Sequence, residues 1–95
     1  MSFEWDHATR QTNLAKHGID FLLARNLFDR RPVVTVRSSF PEEERFLTTG
    51  VFEGCFITVI WARRSGAIRI ISARRARNAE SSKERSYRAL YGGRA

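Results

Sequence analysis

Three consecutive stretches, ERFLTTGVF at 44–52, CFITVIWAR at 55–63 and AIRIISAR at 67–74, are dense in β-branched and aromatic residues and are parted only by Glu53-Gly54 and Ser65-Gly66. Two-residue links ending in glycine suit tight hairpin turns, whose backbone twist matches that of the strands they join. This part of the chain is therefore committed to an antiparallel meander. VVTVR at 33–37 adds a strand before the loop SSFPEEE, and FEW at 3–5 alternates as a short further one.

Helical signals fill the gaps. Asp6 can cap a helix through 7–17, with Gly18 suited to the left-handed residue just past its end. Asp20 can cap a second helix whose apolar residues Phe21, Ala24, Leu27 and Phe28 recur at spacings of three and four, stopping before Pro32. A third helix is expected from Arg77 to about Tyr91. The fold class is α+β: an antiparallel β-sheet of four to five strands with two N-terminal helices and one C-terminal helix. Ninety-five residues suffice for one core, so 1–95 is read as a single domain with 92–95 as a frayed tail.

Composition narrows the function. The single cysteine, Cys55, rules out a disulfide framework and a cysteine-based zinc site, and fits a reducing compartment. No stretch approaches the roughly 18 apolar residues of a membrane helix, and MSFEWDHATR lacks the order of a secretion signal, so a cytoplasmic chain without membrane contact is expected. The net charge of +7 is segregated: residues 1–62 hold seven Lys/Arg and eight Asp/Glu, whereas 63–95 hold ten Lys/Arg against Glu80 and Glu84. Such a field attracts phosphates, and nucleic acid or an acidic protein are the partners to consider.

The basic third contains groups that could do chemistry. Arg74, Arg75 and Arg77 close the last strand, where guanidinium groups can grip a phosphate bidentately or lie as surface charge. At about 100° per residue, Arg77, Glu80, Glu84, Tyr87, Arg88 and Tyr91 share one arc of the expected third helix. Far upstream, Lys16 and His17 end the first helix, a place that favours cations through the helix dipole and could also present a titratable imidazole and a phosphate-binding ammonium. His7 lies on a different face from His17, which excludes a two-histidine pair. Glu42, Glu43 and Glu44 are consecutive and lack companions for a metal site, and no cofactor motif is present. RNA cleavage by internal attack of the 2′-OH needs a base, a positive clamp and an acid for the leaving oxygen. Arginine stays protonated, so the arginines are clamps, and the proton carriers lie among Lys16, His17, Glu80, Glu84 and the tyrosines.

FEWD at 3–6, NLAKHGIDF at 13–21, RIISARRA at 69–76 and the C-terminal Glu84-Arg85 with tyrosines following together resemble the BrnT toxins of bacterial type II toxin–antitoxin modules. The resemblance implies a fold similar to the RelE-like ribonucleases and a toxin that cleaves RNA and halts translation. It also implies neutralisation by a BrnA-type antitoxin, with DNA reached only through that partner. By position it points to Lys16, His17 and Arg74, and to an acidic-basic pair with a tyrosine in the last helix. Glu80 has the family spacing but is followed by Ser81, whereas Glu84-Arg85 has the chemistry one turn later, with Tyr87 three residues on from Glu84. The expectation is a metal-independent endoribonuclease toxin, with His17, Arg74, Glu80, Glu84 and Tyr87 as catalytic candidates and Lys16, Arg74, Arg75, Arg77 and Arg85 binding phosphate. The alternative is a basic nucleic-acid-binding or partner-binding module without catalysis.

Overall fold

A computed structural model describes residues 2–38, 43–77 and 80. The elements are β1 (Phe3–Glu4), α1 (His7–His17), α2 (Phe21–Ala24) running into a 3-10 turn (Arg25–Phe28), β2 (Val33–Ser38), β3 (Arg45–Phe52), β4 (Cys55–Arg64) and β5 (Ala67–Arg75). They form an α+β fold whose strands make one sheet in the order β1-β5-β4-β3-β2.

The meander follows from its turns. Glu53 and Gly54 have φ of 51° and 80°, and Ser65 and Gly66 have 51° and 81°, so both residues of each hairpin link are left-handed. That is the type I′ arrangement the dipeptides predict, with glycine where a side chain would be strained. The first helix also begins and ends as read. The Asp6 carboxylate accepts from the Thr9 N–H at 3.0 Å, and Gly18, at φ 72°, returns its N–H to the Leu14 carbonyl at 2.8 Å. Asp20 caps α2 through the Leu22 N–H and takes a bidentate grip from Arg10 at 2.7 and 2.9 Å, joining the two helices.

Three expectations need correction or bounding. The sheet is mixed: β2 to β5 are antiparallel neighbours, but β1 runs parallel to β5, pairing Phe3 with Ile68 and Glu4 with Arg69. A short alternating segment carries no sign of its direction; what seats it is Phe3 against Phe28, with ring centroids 5.6 Å apart, and the Arg69–Glu4 ion pair at 3.1 Å. The second helix tightens to 3-10 geometry after Ala24. There, residues three apart stack above one another, which brings Ala24 and Leu27 onto the same line of contact. The expected C-terminal helix lies outside the described residues, apart from Glu80.

Phe21, Ala24 and Leu27 pack on Ile57, Val59 and Trp61 of β4 and on Ile68, Ile70 and Ala73 of β5. Trp61 is held by Phe46 stacked at 4.6 Å and Phe28 edge-on at 5.5 Å, while its Nε1 donates to the Thr48 hydroxyl at 2.8 Å. No helix among the described residues is long and apolar enough to cross a membrane.

Candidate active site

Strict alternation along β5 would place Arg74 on the face of Ile68 and Ile70. The ladder instead slips between Ile60 and Trp61: Trp61 faces Ile70, Ile60 faces Ser72, and Ile71 is left out as a bulge. Directly paired residues share a face. Ala73, opposite Val59, thus joins the core row, and Arg75 falls beside Ile57 on that same side. Arg74, opposite Thr58, turns to the far face of the sheet.

There Arg74 meets Glu80. Nη1 and Nη2 donate to the two carboxylate oxygens at 2.8 and 2.9 Å, and the Arg77 backbone N–H donates to Oε1 at 2.7 Å. The pair is largely sheltered, its side chains 12% and 19% exposed. Thr58 donates to Oε1 at 3.1 Å; since an ionised carboxylate only accepts, the Thr58 oxygen must in turn accept from Thr49, 2.7 Å away. The Arg74 hydrogen bonds draw the Glu80 carboxyl from its ordinary 4.5 down to about 2. The Arg77 N–H, the Arg74 charge and Thr58 add to the shift, and burial opposes it. The same pairing raises the Arg74 pKa.

Asn13 brings the upstream motif to this strand. Beyond Arg69, β5 has no strand beside it on its β1 side among the described residues, and the Asn13 carboxamide stands in for one. Oδ1 accepts from the Ala73 N–H at 3.1 Å, and Nδ2 donates to the Ala73 carbonyl at 2.9 Å. Oδ1 also accepts from the Ser72 hydroxyl at 3.0 Å, and Nδ2 donates to the Ile19 carbonyl at 2.9 Å. Every donor and acceptor of a buried amide is used, which fixes α1 against the strand one residue from Arg74.

The last turn of α1 therefore lies along the end of β5. Lys16 is exposed and His17 half-buried. Both line a groove of about 330 Å³ with Thr12, Asn13 and Ser72. On its other side His17 lines a second cleft with Arg75, whose Nη1 lies 3.8 Å from the Cys55 sulfur. Arg75 and Arg77 are exposed. The site residues thus divide into a locked pair, Arg74 and Glu80, and a more exposed basic edge where His17 and Arg75 share a cleft, with Lys16 one residue before His17 and Arg77 two beyond Arg75. Glu84, Arg85 and Tyr87 lie outside the described residues. Of the glutamates 42–44, Glu43 pairs with Arg45 and Glu44 with Arg37, and no three metal-ligating side chains gather among the described residues.

Sequence reading missed Asn13 and Thr58. A signal existed for Asn13: Arg10, Asn13 and His17 recur at helical spacing on one side of α1, and a carboxamide there must find partners if that side is covered. Thr58 carries no such mark, since threonine is ordinary in strands.

An α+β domain whose strand β5 runs into arginines beside a helix-end histidine fits, by its fold and charge, the class of small basic proteins suited to binding phosphates. Comparison with protein families makes the class specific. Residues 5–80 match the family described as the ribonuclease toxin, BrnT, of type II toxin–antitoxin systems, and the chain belongs to that family. The matched stretch includes Lys16, His17, Arg74, Arg75, Arg77 and Glu80 and stops short of Glu84, Arg85 and Tyr87. No curated protein sequence matches the chain.

Proposed function

We propose that this chain is a metal-independent endoribonuclease, RelE-like in fold, that inhibits translation and is neutralised by a BrnA-type antitoxin through which the complex reaches DNA. The observation that supports the reading is the Asn13 clasp, which holds the end of α1 against β5 so that His17 lines one cleft with Arg75, although some sixty residues separate the two in sequence.

In this mechanism Lys16, Arg75 and Arg77 hold the substrate phosphate and stabilise the charge that grows on its oxygens as the 2′-OH attacks. Arg74, fixed by Glu80 on the opposite face of β5 from Arg75, adds its charge to the edge from a set position. Glu80 acts through Arg74: a carboxylate held at about 2, with its Oε1 accepting three hydrogen bonds, carries no proton at neutral pH and has little basicity to offer. That leaves proton transfer to His17 on the α1 side. Glu84 and Tyr87 serve as partners for the leaving oxygen, with Arg85 as a further phosphate contact, all three on their sequence alone.

The test is incubation of the purified chain with RNA in EDTA. We expect cleavage products ending in 2′,3′-cyclic phosphate, and a loss of at least about a hundredfold in rate for His17→Ala. RNA that is retarded on a gel but remains intact would instead identify a binding module without catalysis.

A further inference from the structure

The second cleft at His17 is built unlike the groove on its other side. Its volume is about 180 Å³, and Ile19, Leu23, Phe52 and Ile57 give it apolar walls, with the polar groups His17, Arg75 and Glu53 also lining it. It lies between the end of α1, α2 and the β3–β4 hairpin, and meets the basic edge at His17 and Arg75. A volume well below the roughly 300 Å³ of drug-sized pockets suits one flat ring system and little else.

We propose that this cleft is the nucleobase subsite of the ribonuclease, and that it reads the base attached to the phosphate held at Arg75 beside His17. The inference rests on the RNA-cleaving reading above and adds what that reading lacks, a determinant of which bases are cut. Three features select a base over other apolar occupants. A base arrives tethered to a phosphate, and the cleft shares two of its lining residues, His17 and Arg75, with the cationic edge where a phosphate would sit. Single-stranded RNA is recognised by splaying a base out and seating it against aromatic and aliphatic side chains. Phe52 supplies the aromatic surface and is itself held in place by the Arg31 guanidinium, 5.4 Å from the ring centre.

The hairpin adds discrimination. Glu53 holds the first position of the type I′ turn at φ 51°, which fixes its backbone at the rim. A carboxylate there accepts hydrogen bonds and cannot donate them, so it favours bases that present an exocyclic amine, as cytosine, adenine and guanine do, over uracil, whose single edge donor, N3–H, lies between two repelling carbonyls.

Two measurements test the proposal. In the first, cytidine and uridine monophosphates are titrated into the ¹⁵N-labelled chain. We expect amide shifts at Leu23, Gly54 and Cys55, with the cytidine nucleotide binding several-fold more tightly. This readout does not depend on catalysis, so it stands even for a chain that fails to cut RNA. Shifts confined to Lys16, Arg75 and Arg77 would overturn the subsite while leaving phosphate binding intact. In the second, cleavage of a randomised RNA pool is sequenced for the parent chain, Leu23→Ser and Glu53→Gln. Leu23 is substantially exposed and Glu53 lies in a surface turn, so both variants should fold. Leu23→Ser should weaken nucleotide binding about tenfold, and Glu53→Gln should relax the preference for amine-bearing bases without changing the position of the cut. An unchanged base preference in both variants would overturn the proposal, as would a cleft that takes up only a protein partner's apolar side chain.

Discussion

Arg74 and Glu80 show how a residue's sequence neighbourhood can mislead about its role. In sequence Arg74 is one of three arginines in four residues and reads as a free clamp; in the fold its guanidinium is already engaged by a carboxylate six residues on. A pair this sheltered is sensitive to loss of either member, because the survivor keeps its desolvation cost. Glu80→Gln should destabilise the chain by about 2 kcal/mol at pH 7, measured by urea unfolding. The sign with pH follows from the depressed carboxyl. Stability from this pair is complete above the ordinary carboxylate range near 4.5 and is lost as pH falls towards about 2. The gap between parent and variant should accordingly close across that interval; a gap that stays constant would mean that Glu80 is not ionised by Arg74. No spacing rule could have revealed the bond, since the partner is chosen by which face of β5 the guanidinium leaves from.

Among the elements, the meander and α1 were legible and β5 was only partly so. Glu53-Gly54, Ser65-Gly66, Asp6 and Gly18 declare local geometry with residues that tolerate little else, and the structure uses each as expected. The bulge at Ile71 has no such emblem, because an isoleucine in a run of isoleucines looks the same in or out of the ladder. One extra residue was enough to exchange the faces of Arg74 and Arg75. The direction of β1 was hidden too, in a strand of two residues. What joins α1 to β5 is the Asn13 amide, and Asn13→Ala would strip partners from Ala73, Ser72 and Ile19 at once. Each buried group left unpaired costs about 1–3 kcal/mol. We expect a fall in melting temperature of more than about 10 °C by circular dichroism, with ribonuclease activity lost even below the melting transition. Asn13→Asp should rescue neither, since a carboxylate has no N–H for the Ala73 and Ile19 carbonyls.

At the scale of the molecule, charge segregation in the sequence becomes a located feature: the excess of arginine in residues 63–95 includes the exposed Arg75 and Arg77 at the end of β5, opposite the basic end of α1. RNA affinity should therefore fall steeply with salt, with a log–log slope shallower by about 0.7 for each phosphate contact removed. Arg75→Ala and Lys16→Ala should each show that decrement, while a surface arginine remote from the edge, such as Arg37, should show none. Element order was readable from local signals; the neighbourhood of β1 was not, because it pairs β1 with β5, the described strand farthest from it along the chain. That adjacency has a consequence for how the chain is made. β1 finds its only described neighbour in β5, so on a ribosome it emerges first and waits until residues 67–75 have cleared the exit tunnel. Of the described strands, the one synthesised earliest is the one the sheet admits last, and the Ile68 amide, bonded to the Ser2 carbonyl, should be the slowest in β5 to gain protection from hydrogen exchange during refolding.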